Sequence, residues 1–135
     1  MKRILSIVSV CLFAIIGMTQ AQTKSDGVEV MYFHGKQRCA TCMAIEKYAR
    51  EVVEIDFAAL AKKGKVRFRM VDISTDEGAK LAKAYKVSWS SLYVNEWKNG
   101  KETRNDMTRF GFANARSKTE DFKKGLKAKI NELLK

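Results

Sequence analysis

The chain reads as a single α/β domain with a four-stranded mixed sheet flanked by helices, in the order β-α-β-α-β-β-α. Three observations predict this. Short β-rich apolar runs alternate with amphipathic helical stretches along most of the chain. Lys98-Asn99-Gly100-Lys101 carries an Asn-Gly hairpin signal. Two cysteines, Cys39 and Cys42, stand three apart where the first β-rich run gives way to the first helical pattern.

The elements follow in order. Val28 to His34 (VEVMYFH) is a short β-rich run suited to a buried strand, and Gly35 to Arg38 is a loop. From Cys39 the period becomes helical, with Cys42, Ile45, Ala49, Val52 and Val53 on one face. Glu46/Arg50 and Lys47/Glu51 form four-apart pairs on the outside, and the helix runs to about Leu60 before Lys62-Lys63-Gly64 stops it. Val66 to Ile73 reads as a strand, and Asp76 to Tyr85 as a helix that Ser74 or Thr75 can cap. Ser91 to Trp97 is a strand, with Glu102 to Met107 as its hairpin partner. The segment with Phe110, Asn114 and Arg116 reads as a loop, and Thr119 to Leu134 as a closing helix with Phe122, Leu126, Ile130, Leu133 and Leu134 inward. The β-α-β unit implies a parallel pair with a right-handed crossover, and the hairpin implies antiparallel neighbours.

A length of 135 residues fits one domain. Met1-Lys2-Arg3 is a basic start, Ile4 to Met18 is almost uninterruptedly apolar, and Thr19-Gln20-Ala21 supplies small residues at a cleavage site. Residues 1–21 therefore read as a secretory signal cut after Ala21, leaving 22–135 as the domain. The apolar run falls short of the roughly 20 residues a membrane span needs. An uncleaved N-terminal membrane anchor is the alternative. Cys11 goes with the signal, so the mature chain has two cysteines in a secreted or periplasmic setting that permits a disulfide. The net charge of +11 falls to +9 without Lys2 and Arg3. Lysines and arginines are scattered rather than blocked, which reads as a solvated surface and not as a nucleic-acid footprint. An acidic partner protein or anionic lipid is the residual use of that charge. The sequence implies no stable oligomer.

Three uses of Cys39 and Cys42 compete. As a clip, a disulfide closing about four residues removes only about 2 kcal/mol of unfolded-state freedom and ties no distant parts together. As a dithiol, Cys39 stands at a helix N-terminus after Lys36 and Arg38, with no acid between His34 and Glu46, all of which favours its thiolate. Cys39 is then the nucleophile and Cys42, one turn on, the resolving thiol of a redox-active disulfide that needs no other cofactor. His34 joins Lys36 and Arg38 as a group able to tune these pKa values, though its bland role is structural. As metal ligands, the pair with His34 falls short of the four a closed zinc site wants, and Met43 reads as a helix-face residue. Cu(I) or arsenite needs no more than the two thiolates.

This element order, with C-A-T-C at the first strand–helix junction, resembles the thioredoxin fold across nearly the whole mature chain. Proteins resembling thioredoxin carry a cis-proline facing the dithiol. Here "KVSWSSLYV" puts Ser90 or Ser91 at that position, and the chain has no proline. A non-proline cis bond costs about 3–4 kcal/mol, so a trans loop is expected. Its way of holding a substrate, and its shielding of the thiols from metals, then differ from the family's. Trp89, Ser90 and Ser91 are the candidate partner-binding residues; Trp89 serves either as a cover on the helix end or as a flat surface for an aromatic substrate or a partner side chain. The buried acid of the family six residues before the first cysteine is replaced by Phe33. Within the superfamily, "YFHGKQRCATCMAIEK", "KVSWSSLYV" and "MTRFGFANARSKTEDFKKGLKAKINELL" are similar to a secreted family labelled nitrophenyl compound nitroreductase subunit, found in anaerobic bacteria with arsenic-resistance genes. That resemblance implies electron transfer through Cys39 and Cys42 to or from a redox partner protein, soluble or membrane-bound. A dithiol is itself a weak direct reductant of nitro groups.

Overall fold

A computed structural model describes residues 24–135. The expected signal at 1–21, Cys11 within it and the cut after Ala21 lie outside the described residues. Among the described residues no helix is long and apolar enough to cross a membrane.

The sheet order is β2-β1-β3-β4. Strand β1 (Gly27–His34) is central, parallel to β2 (Val66–Asp72) and antiparallel to β3 (Ser91–Lys98). Val28 to Phe33 are all buried because helices cover both faces of this strand. That is why apolar residues fill both faces of the strand rather than alternating, with the one buried acid, Glu29, paired to Lys24. Val28, Val30 and Tyr32 face a core shared with α1 (Ala40–Glu51) and α5 (Thr119–Leu133) through Ile45, Phe122, Leu126 and Ile130. Met31 and Phe33 face α3 (Asp76–Tyr85) through Ala82 and Tyr85. Burial of a side chain of this size contributes about 1.5–3 kcal/mol, so these two layers hold the sheet that carries the cysteines.

Both turn and cap expectations are met. Asn99 and Gly100 have φ of 52° and 74°, the left-handed pair a two-residue hairpin needs. Thr75 caps α3 by accepting from the Gly78 N–H at 3.0 Å, whereas the Ser74 hydroxyl donates to Asp72 instead.

Four expectations need correction. The helix from Cys39 to Leu60 is not uniform: α1 widens into a π-helical turn over Val52–Asp56, breaks at Phe57 and resumes as α2 (Ala58–Lys62). The wide turn keeps Val52, Val53 and Phe57 against the core and leaves Ile55 exposed. Glu46 and Arg50 pair at 3.5 Å, but Glu51 turns from Lys47 to Lys123 on α5, 2.9 Å away.

The partner of β3 is half as long as expected. Strand β4 covers only Lys101–Thr103, followed by an isolated bridge between Tyr93 and Asp106. Arg104 leaves the ladder to stack over the Tyr85 ring at 3.6 Å and to donate to the Ala84 carbonyl at 2.9 Å. The β3 edge is still satisfied: Asn105 O accepts from Val94 N at 2.9 Å, and Thr108 Oγ1 accepts from Leu92 N at 3.0 Å.

The segment around Phe110 is a helix, α4 (Thr108–Asn114), and not a loop. Its Gly111 reads as a breaker in sequence. In space α4 lies on α1 and β3 at Gly111, where a Cβ would come into van der Waals contact with Ile45 and Leu92 at 3.4 Å. The Phe110 ring in turn rests on Gly125 of α5 and stacks on Phe122 at 5.9 Å.

Candidate redox site

Strand β1 ends at His34, and the loop 35–38 delivers Cys39 as the N-cap of α1 in extended conformation, φ −75° and ψ 160°. Its sulfur accepts from the backbone N–H of Cys42 at 3.0 Å, which ties down one of the free donors at the helix start. Cys39 and Cys42 are joined by a disulfide, with their Cα atoms 5.0 Å apart. Cys39 is exposed; Cys42 is buried against Tyr32 and Ile45 in the core. The helix start thus presents one sulfur to solvent and keeps the other behind it, as the helical period predicted.

The first turn of α1 carries no acid. Glu46, however, reaches back to form an ion pair with Arg38. The sequence count of acids missed this, because Glu46 lies beyond the loop in sequence and beside it in space. Part of the Arg38 charge is therefore spent before it reaches Cys39. Lys36 is exposed and has no ion-pair partner among the described residues.

His34 donates through Nδ1 to the Gly35 carbonyl at 3.1 Å and stacks on Tyr32 at 6.3 Å. This fits the structural role. Its register partner on β2 is Asp72, an acid at the same end of the sheet that no sequence motif singles out. The Ser74 hydroxyl and backbone N–H hold the Asp72 carboxyl below its usual value, and the charges of His34 and Lys36 add to this.

Phe33 is fully buried against Tyr85 and Tyr93, so the family's acid has no counterpart at that position. On the opposite face, Tyr32 has a buried hydroxyl with no hydrogen bond of good geometry. Burial pushes its phenol up, while the nearby Ser90 hydroxyl and Arg38 guanidinium pull the other way. Tyr32 thus lies between the cysteine loop and the loop before β3.

That second loop lies at the same end of the sheet, since Ser91 pairs with Phe33 in register. Its Ser91 is buried and donates to the Trp89 carbonyl at 3.2 Å. The described residues contain no cis peptide bond, so the Ser90–Ser91 loop is trans. Trp89 is 72% exposed. Most of its ring stands in solvent. Beside it the structure brings in Arg109 and Phe112 of α4, which sequence reasoning missed because the helix itself was read as a loop. Among the described residues no group of three or more His, Cys, Asp or Glu is placed to hold a metal. Two thiolates would be the protein's ligands to a soft ion.

No protein-family model matches the chain, and no curated protein does. Among solved structures it is similar to a thioredoxin from Thermus thermophilus, 18% identical over 74% of this chain and 73% of that one, with a TM-score of 0.46. It is also similar to a chain described as a malarial protein, 20% identical over 73% of this chain and 96% of that one, with a TM-score of 0.43. The chain's own geometry defines its class: a β2-β1-β3-β4 mixed sheet with a disulfide-forming C-x-x-C pair where β1 meets α1. This is a thioredoxin-like fold, and a cysteine pair held at disulfide distance in that place fits thiol–disulfide exchange.

Proposed function

We propose that this protein is an extracytoplasmic thiol–disulfide oxidoreductase that passes electron pairs between protein partners through Cys39 and Cys42. The observation that supports it best is the asymmetry of the pair, with Cys39 exposed at the N-terminus of α1 and Cys42 buried behind it. As held here, the disulfide is the electron acceptor. A partner thiolate attacks the Cys39 sulfur, a mixed disulfide forms, and Cys42 leaves as a thiolate. The partner's second thiolate then attacks its own bridged sulfur and Cys39 leaves. The partner is oxidised to a disulfide, and Cys39 and Cys42 take up two electrons. In the reverse direction the Cys39 thiolate attacks the partner's disulfide and Cys42 closes the bridge. The helix N-terminus and the Cys42 N–H favour the Cys39 thiolate in either direction.

The similarity to the nitrophenyl compound nitroreductase subunit family supports a finer reading, an electron-relay subunit whose partner performs the nitro reduction. The apolar N-terminal run supports export, or tethering to a membrane beside a membrane-bound partner.

A glutathione redox titration with thiols counted by mass spectrometry tests the proposal. One reversible two-electron step is expected, with Cys42→Ser trapping mixed disulfides and Cys39→Ser trapping none. A pair that stays reduced throughout, or that arsenite blocks at one equivalent, would overturn it in favour of a soft-ion carrier.

A further inference from the structure

Lysines that the sequence scatters are gathered by the fold at one end of the sheet, where β1 begins. Lys62 ends α2 and Lys63 caps it, while Lys65 precedes β2, whose Val66 pairs with Val28. Lys98 ends β3 and faces Lys101 of β4 across the Asn99–Gly100 turn. All five are exposed, and none has an ion-pair partner among the described residues. Like charges directly opposite one another, as Lys98 and Lys101 are, destabilise a hairpin, and an anion over them would offset that cost. Between these segments lies a groove of about 470 Å³, lined by Leu60, Trp97, Leu133 and Leu134 together with Lys65 and Lys98. Its acids are Asp26 and Glu96, and Asp26 already accepts from the Asn99 N–H at 2.9 Å.

From this placement we infer that the end of the sheet where β1 begins rests on an anionic phospholipid surface, with the five lysines among the lipid phosphates and the apolar groove at the headgroup level. Three facts favour a bilayer over an acidic protein. The cations are all lysines, point charges suited to a diffuse anionic surface, whereas a single protein carboxylate is better held by an arginine fork. The groove carries the indole of Trp97, a side chain that settles at membrane–water interfaces. The chain enters β1 at this end, so the apolar run at 4–18 is joined to it and not to the cysteine end. Cys39 follows the far end of β1, which spans eight residues or about 25 Å. A protein seated in this way presents its cysteines away from the lipid. The surface does not depend on what the cysteines do.

The test is co-sedimentation of the natively processed protein, at low salt, with two kinds of vesicle. One is phosphatidylglycerol and phosphatidylcholine in equal parts; the other is phosphatidylcholine alone. Binding to the mixed vesicles is expected to be at least about tenfold tighter. Lys63→Glu, Lys98→Glu and Lys101→Glu together should remove that preference. Lys80→Glu, Lys118→Glu and Lys124→Glu, the same charge change on exposed lysines elsewhere, should retain it. Brominated lipid, which quenches nearby indoles, reads the orientation. Trp97 should be quenched in Trp89→Phe, and Trp89 should be spared in Trp97→Phe. Equal binding to the two vesicles, equal loss in the two triple variants, or quenching of Trp89 instead of Trp97 overturns the proposal. Displacement by polyglutamate at matched charge would assign this end to an acidic protein. A dimer that the first triple variant loses would assign it to a second copy, and either result also overturns the proposal.

Discussion

The backbone N–H of Cys42 donates to the sulfur of Cys39 over 3.0 Å, so the exposed sulfur of the pair caps the helix that carries its buried partner. Reduction leaves that donor and the helix N-terminus facing a thiolate. The pKa of Cys39 should therefore fall at least about one unit below the ordinary thiol value near 8.5. Alkylation of the reduced protein as a function of pH measures it. Cys39 is expected to react first and with the lower pKa, and Cys42 slowly because it is buried. Equal rates for the two thiols would contradict the division of roles.

Gly125 lies in the middle of α5, where alanine ordinarily stabilises a helix by about 1 kcal/mol. Here a Cβ would stand 2.3 Å from the Phe110 ring. The ring stacks on Phe122, which limits how far it can yield on that side. Gly125→Ala should consequently destabilise the protein by about 1–3 kcal/mol, opposite in sign to helix propensity. Urea denaturation reads the difference. Combined with Phe110→Ala, the same change should cost less than the sum of the two separately.

These residues show why the chain was only partly legible. Strands β1, β2 and β3 and helix α5 are written in apolar patterns that burial requires, and their ends fall within a residue or two of expectation. The cysteine pair was legible because a helix start is a local feature. Helix α4 was not, since its Gly111 and the Phe110–Gly125 contact make sense only once α1, β3 and α5 are assembled. The Arg38–Glu46 pair and the placing of Phe112 beside Trp89 were hidden for the same reason. Each joins segments that sequence separates.

Tyr85 is packed between Phe33 and Tyr93, and its hydroxyl binds Glu102 and accepts from Asn95 at 2.9 Å. Burial first, and then the Glu102 carboxylate, push its phenol well above its ordinary value. A raised tyrosine pKa means the unfolded chain loses this proton first as pH rises. The stability it contributes is whole below about pH 10 and is lost progressively above that. Tyr85→Phe should cost about 1–2 kcal/mol near neutrality through the lost hydrogen bonds. It should also flatten the decline of stability above pH 10, and thermal unfolding from pH 8 to 11 would show whether the two curves converge.

The ion pair between Arg38 and Glu46 sets how much positive charge Cys39 feels. Glu46→Gln removes the counter-charge and leaves Arg38 facing the thiolate. Arg50, which also contacts Glu46 at 3.5 Å, is freed in the same direction. The Cys39 thiolate is then favoured further, so its pKa should drop by about half a unit. A more stable reduced form makes the disulfide the stronger oxidant. For this two-electron couple a tenfold change in equilibrium is about 30 mV, so half a unit raises the potential by up to about 15 mV. Arg38→Gln should move both quantities the other way by a smaller amount, because Glu46 already offsets part of that charge. Glutathione titration and pH-dependent alkylation of the two variants give the pair of shifts. A potential that stays put while the pKa moves would mean that Cys42, and not Cys39, governs the redox balance.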